Sequence, residues 1–255
     1  MFTLKDVSYQ IDNTVILHPT NLTFPPGKVT ALLGHNGCGK STLMKLLSRQ
    51  YHANRGSIDI AGKPLQGFEH KSFARKVSYL PQHPPVTDGV TVRELVSFGR
   101  YPWKGAFGQL NSEDHQAIEQ AIEHTGLTAY ADRFVATLSG GERQRAWVAM
   151  LLAQQSECLL LDEPTSALDV HHQYELLEMI RELNQRLNLT VVIVLHDINM
   201  AARFSDHIIA LKSGQVIAQG NPEQIMQADV LKSIYGMDLA LFRNPANGQL
   251  ISYIP

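Results

Sequence analysis

The chain has 255 residues, 44% of them hydrophobic, with 22 Lys and Arg against 24 Asp and Glu. That length holds one large α/β domain with a sub-domain, and the apolar content fills a core without metal or disulfide staples. A formal charge of −2 gives no basic excess for nucleic acid, the two cysteines (Cys38 and Cys158) form neither zinc spacing nor a disulfide framework, and no apolar run reaches the ~20 residues of a membrane helix. Met1-Phe2-Thr3-Leu4-Lys5-Asp6 carries no basic region followed by an apolar one, so no signal peptide is expected. The expectation is a soluble cytosolic protein, unless a partner brings it to a membrane.

Residues 1 to about 27 alternate apolar and polar side chains, with turns at Asp12-Asn13 and Pro25-Pro26-Gly27, which predicts short antiparallel strands. Tyr9 stands out there, although alternation alone makes it a sheet-face aromatic. Val29-Thr30-Ala31-Leu32-Leu33 reads as a buried strand, and Leu43, Met44, Leu46 and Leu47 fall at helical spacing. Between them, Gly34-His35-Asn36-Gly37-Cys38-Gly39-Lys40-Ser41-Thr42 fits G-x-x-x-x-G-K-[ST] without a gap. A strand that turns through glycines into a helix makes backbone N–H groups converge and adds the positive end of the helix dipole. A polyphosphate suits that concavity. Lys40, read as an exposed cation, bridges its β- and γ-phosphates, the Ser41 hydroxyl holds Mg²⁺, and Thr42 reaches another phosphate.

Further on, Arg55 to Ile60 and Val77 to Leu80 read as strands, the second ended by Pro81 so that Gln82 begins a loop. Thr91 to Phe98 looks helical. Gly99 to Gly105 reads as a turn-rich aromatic interruption. Asn111 or Ser112 caps a helix with Ala117, Ile118, Ala121 and Ile122 on one face. No strand is expected in this interval, which looks like a helical insertion. Leu138-Ser139-Gly140-Gly141-Glu142 opens another helix, and Cys158 to Leu161 is an apolar strand ending in Asp162-Glu163. Tyr174, Leu177, Ile180, Leu183 and Leu187 form a helical stripe. Thr190 to Leu195 is a buried strand ending at His196. Ile208 to Leu211 and Gln215 to Ala218 flank Ser213-Gly214 as a hairpin, Asn221-Pro222-Glu223 starts a helix, and residues 237–255 carry weak strand signals.

Triphosphate hydrolysis needs a phosphate cradle, a Mg²⁺ site, a group that orients water, and stabilisation of spreading charge. Asp162 stands where α/β sheets present ligands and can hold a Mg²⁺-bound water. Glu163 points elsewhere and is free to act as general base. Ser139 and the two glycines after it expose N–H groups at a helix start, either as a plain cap or as a second anion site. One triphosphate does not need two such sites in one chain; two chains facing each other do.

Taken in order, Tyr9, the phosphate loop, Gln82, Leu138-Ser139-Gly140-Gly141-Glu142, the acid-ended strand, Ser166-Ala167-Leu168-Asp169 and His196 resemble the nucleotide-binding subunit of ATP-binding-cassette (ABC) transporters over essentially the whole chain. The resemblance implies an α/β fold of the P-loop NTPase ABC type over residues 1–255, with an antiparallel β sub-domain and a helical sub-domain inserted at about 84–155. It implies ATP and Mg²⁺ as cofactors, held between two copies of the chain paired head to tail. Gly34, His35, Asn36, Gly37, Cys38, Gly39, Lys40, Ser41 and Thr42 then bind the nucleotide, and Tyr9 stacks on adenine. Ser41, Gln82 and Asp162 serve the metal, and Glu163, His196 and Gln82 serve catalysis. Ser139, Gly140, Gly141, Glu142 and Asp169 meet the nucleotide of the partner chain. The commonest form of the signature ends in Gln; Glu142 stands there instead, a variant found in importers of this kind. An integral membrane permease is the implied partner, with a substrate-binding protein acting indirectly, no nucleic acid, and a peripheral place on the cytoplasmic face of the inner membrane.

Gly99-Arg100-Tyr101-Pro102-Trp103, Glu142-Arg143-Gln144-Arg145-Ala146-Trp147 and Leu195 to Ala202 resemble importers of iron chelates, haem and cobalamin, nearest those of ferric hydroxamates. His171 and His172 diverge by about 100° on a helix, which favours a solvated pair over a metal site. Cys38 reads as a tolerated small side chain. A soluble mechanical ATPase of the same superfamily is the rival, but about 100 residues between phosphate loop and signature leave no room for a coiled-coil arm.

Overall fold

A computed structural model describes every residue except Val86, Thr87, Ala106, Phe107 and Asn247. The chain forms two compact units, one of residues 1–67 and 188–255, the other of residues 68–187.

The first unit begins with β1 (Phe2–Ile11) and β2 (Thr14–Phe24), antiparallel from Phe2↔Phe24 to Ile11↔Thr14. Asp12, at φ 51, makes the tight turn between them. The Phe2 and Phe24 rings meet edge to face at 6.2 Å under this sheet. β3 (Val29–Leu33) is buried at every position, as a strand covered on both faces must be. It runs into α1 (Lys40–Leu47), whose Leu43, Met44, Leu46 and Leu47 are buried. β4 (Arg55–Ile60) pairs antiparallel with β1, and β5 (Lys63–Pro64) closes the order β2-β1-β4-β5.

The second unit opens with α2 (His70–Ala74), β6 (Val77–Leu80), α3 (Val92–Ser97), α4 (Tyr101–Lys104), α5 (Ser112–His124) and α6 (Gly140–Ala153). β7 (Cys158–Leu161) then pairs parallel with β6, and α7 (Val170–Leu187) follows. Thr91 with Glu94, Asn111 with Asp114 and Ser139 with Glu142 form capping boxes, so α3, α5 and α6 each start where side chains satisfy the orphan N–H groups. The turn expected over residues 99–105 is helical through Lys104, with Pro102 fitting a first-turn position. The expected α7 stripe shifts: Leu176, Leu177, Ile180, Leu183 and Asn184 are buried while Leu187 is 43% exposed. Between residues 84 and 155 the strand-like feature among the described residues is one bridge, Thr91↔Phe134.

Returning to the first unit, β3 is flanked by two parallel strands, β8 (Thr190–Val194) on one side and β9 (His207–Lys212) on the other. α8 (Ile198–Phe204) connects them, and β10 (Gln215–Gly220) folds back on β9 through Ser213 and Gly214, both at positive φ. A Cβ on Gly214 would lie 2.5 Å from the Ile16 carbonyl, so only glycine fits that turn. The helix expected after Asn221 is a single turn, α9 (Pro222–Ile225), followed by α10 (Ala228–Tyr235). β11 (Ala240–Arg243) and β12 (Leu250–Tyr253) form a terminal hairpin. Asn199 on α8 holds it, donating to the Ser252 carbonyl at 3.0 Å and accepting from its N–H at 2.7 Å. Among the described residues no helix is long and apolar enough to cross a membrane.

Candidate nucleotide-binding and catalytic site

In the first unit, β3 ends against Gly34, whose φ of 143 and whose missing Cβ (2.2 Å from the Leu211 carbonyl if present) let the chain turn tightly under β9. Gly39, at φ 103, ends the loop and heads α1 without any side-chain cap. A helix start without a side-chain cap is a place where an anion can accept from backbone N–H groups. His35, Asn36 and Gly37 are exposed. Lys40 is buried, not exposed as expected: its ammonium donates to the Gly34 and His35 carbonyls at 2.7 and 3.0 Å and lies 3.9 Å from Cys38 Sγ. An uncapped helix start with a cation folded into the same loop fits a triphosphate.

Tyr9 is stacked on Tyr51, centroids 5.1 Å apart and planes 7° from parallel, with Lys45 5.2 Å above the Tyr51 ring. One face of Tyr9 is thus taken by protein. His196 follows β8 and is exposed; beside it Asp197 caps α8, accepting from the Met200 N–H at 2.7 Å. Tyr235, at the end of α10, meets the His35 ring edge to face at 6.1 Å. Among the described residues its buried hydroxyl has no hydrogen-bond partner, and burial, then the Asp197 charge, pushes its pKa up to about 12.

In the second unit, Asp162 is buried at the end of β7, and the Tyr79 hydroxyl donates to it at 3.3 Å. Glu163 adopts φ 51, a left-handed backbone that costs energy for a residue with a Cβ. Its carboxylate is not free as expected: Gln82 Nε2 donates to Glu163 Oε2 at 2.6 Å. Ser139 Oγ accepts from the Glu142 N–H at 3.3 Å, and Glu142 returns a carboxylate oxygen to the Ser139 N–H at 2.8 Å. The Ser139 N–H, then its hydroxyl, hold the Glu142 pKa below the carboxylate range. Glu142 is thereby turned into the cap. A cleft of about 450 Å³ is lined by Gln82, Gly140, Arg143, Glu163, Ser166 and Leu168, so it joins the glutamine loop, the strand-end acid and the signature helix start.

His171 and His172 each face an acid near the surface. His172 Nδ1 lies 2.9 and 3.0 Å from the Asp169 oxygens, while exposed His171 approaches Glu175 at 3.4 Å. Among the described residues no three His, Cys, Asp or Glu side chains group as a metal site. Tyr51, Tyr235 and the His172 contacts carry no spacing signal, because each partner is distant in sequence or set by one turn's geometry.

A glycine-rich loop heading an uncapped helix, an acid-ended strand and a capped serine-glycine-glycine turn define a nucleoside-triphosphate-binding cassette. The ABC transporter family model matches residues 17–166. The iron(3+)-hydroxamate import ATP-binding protein FhuC of Bacillus subtilis (strain 168) is 46% identical over 91% of this chain and 86% of its own length. The ferric enterobactin transport ATP-binding protein FepC of Escherichia coli (strain K12) is 44% identical over 89% and 85%. A dimeric bacterial ABC transporter cassette, MJ0796, superposes with TM-score 0.75 at 27% identity, over 87% of this chain and 99% of that one. The chain belongs to the ABC transporter family, among the ATP-binding subunits of siderophore importers.

Proposed function

We propose that this chain is the ATP-hydrolysing subunit that energises import of an iron(III)-siderophore, a ferric hydroxamate, through a membrane permease. The observation that carries the chemistry is the Gln82–Glu163 hydrogen bond of 2.6 Å in the cleft beneath the signature turn. Glu163 takes the proton of the attacking water, and Gln82 holds the carboxylate until that water is in place. Lys40 and the first N–H groups of α1 hold the β- and γ-phosphates, Tyr9 offers its uncovered face to adenine, and His196 meets the γ-phosphate. Ser41, Gln82 and Asp162 are the residues that would hold Mg²⁺, which when bound neutralises charge growing on the phosphate oxygens.

Two copies pair so that Ser139, Gly140, Gly141 and Asp169 of each reach the nucleotide of the other. The dimer works as a peripheral assembly on the cytoplasmic face of the inner membrane, one domain of 1–255 with its helical insertion at about 84–155 facing an integral permease, and a substrate-binding protein acts indirectly. The 46% identity to a ferric-hydroxamate import subunit supports the cargo. Deletion of the gene tests it: growth on ferric hydroxamates is lost and growth on haem is kept. Intact hydroxamate uptake with haem or cobalamin uptake lost contradicts the cargo.

A further inference from the structure

The signature turn and the loop after β7 meet inside the second unit. A Cβ on Gly140 would sit 3.5 Å from Leu168 Cδ2, whereas one on Gly141 would meet His172 Cδ2 at 2.5 Å and Cγ at 3.2 Å. Gly141 is buried in the first turn of α6 and has no positive φ. Glycine there costs about 0.8–1 kcal/mol against alanine, so its missing side chain needs another reason, and the His172 ring is that reason.

The ring is itself fixed. Asp169 accepts from the His172 backbone N–H at 3.0 Å and faces Nδ1 with both carboxylate oxygens. The chain between Glu163 and this point is stiff: Ser166 N–H donates to the Glu163 carbonyl and Leu168 N–H to the Thr165 carbonyl, both at 3.2 Å. Gln173 closes the loop, its amide donating to the Leu168 carbonyl at 2.8 Å and its N–H to the Asp169 carbonyl at 2.9 Å.

We propose that His172 is a positioning residue: anchored by Asp169, its ring holds the signature turn at Gly141 in register with the loop that begins at Glu163. A shift at the base of one chain then reaches Ser139 and Gly141 of the same chain, and through them the nucleotide held by the partner. This role rests on the two-chain site proposed above.

The test compares His172→Ala with His172→Asn, whose amide N–H stands near the place of Nδ1. Steady-state kinetics on the purified protein with Mg-ATP is the first readout, nucleotide binding the fold control. In His172→Ala, kcat falls by up to about 100-fold, as for a displaced positioning group, with KM and binding near the parent, and His172→Asn recovers most of the loss. Should the alanine variant not fold, His172→Leu, which fills the ring's place without a donor, replaces it. Parent kcat in a folded variant lacking the donor, or a loss confined to KM, overturns the role. Gel filtration with Mg-ATP in the Glu163→Gln background separates the two readings. Pairing in Glu163→Gln that is lost on adding His172→Ala supports the role, and equal pairing overturns it. A Glu163→Gln protein that does not pair at all removes the two-chain reading, and the role of His172 with it.

Discussion

Lys40 is satisfied by its own loop, with two carbonyls at 2.7 and 3.0 Å. Binding a triphosphate exchanges these neutral acceptors for charged oxygens, which adds ion-pair attraction to bonds the ammonium already strengthens. The exchange favours nucleotide without requiring the fold to change. Lys40→Ala should abolish ATP hydrolysis while lowering stability by only about 1–2 kcal/mol, since two hydrogen bonds are lost and the freed carbonyls sit next to exposed loop residues. An ATPase assay with denaturant unfolding checks both halves, and parent-rate hydrolysis would contradict the cradle. Glu163 combines local strain with a 2.6 Å bond to Gln82. Strain of this kind persists where surrounding contacts hold it, and here the contact is the residue proposed to release the base.

At the scale of elements, the helical unit hangs on Asp114. It is 1% exposed, caps α5 at Asn111, and pairs with Arg100 at 2.9 Å and Lys104 at 2.9 Å. Arg100 also donates to the Ala153 carbonyl and to Gln155, and lies 5.2 Å from the Trp103 ring, which Arg75 approaches at 4.4 Å. One carboxylate thus ties α4, α5 and the end of α6 together. Burial alone would raise its pKa, but Lys104, the Asn111 N–H and Arg100 outweigh burial and hold it at about 2. A depressed carboxylate adds stability above its unfolded pKa, near 4, and that contribution is lost as pH falls from about 4 to about 2. Asp114→Asn should cost about 2–4 kcal/mol at neutral pH and flatten the pH dependence of unfolding in that window. An acid titration of denaturant midpoints reads both, and an unchanged midpoint would contradict this account of the unit. The caps of α5 and α6 were legible in the sequence because each is a pattern within four residues. The burial of Lys40, the helical Tyr101–Lys104 and the contact of His172 with Gly141 were not, since they depend on neighbours distant in sequence or on how one turn closes.

For the whole molecule, the class of fold was legible because β3, β7 and β8 are apolar runs of strand length, each ending at a residue with chemistry. The phosphate loop was equally plain, since its residues are contiguous. What the sequence left open was how the strand-end acid, the glutamine loop and the signature turn share one cleft, which only tertiary structure brings together. In the two-chain site proposed above, the serine and two glycines that open α6 through a capping box face the nucleotide of the partner.

The central claim, that Glu163 is the base of a site shared by two chains, is tested most directly by gel filtration of Glu163→Gln with saturating Mg-ATP. Glutamine keeps the size and hydrogen bonding of the side chain but cannot take a proton. Hydrolysis should slow by about 10²- to 10⁴-fold, and the variant should elute as an ATP-filled pair that weakens when Ser139→Ala is added. A variant that stays a single chain under saturating ATP and turns over at the parent rate would contradict both the base and the shared site.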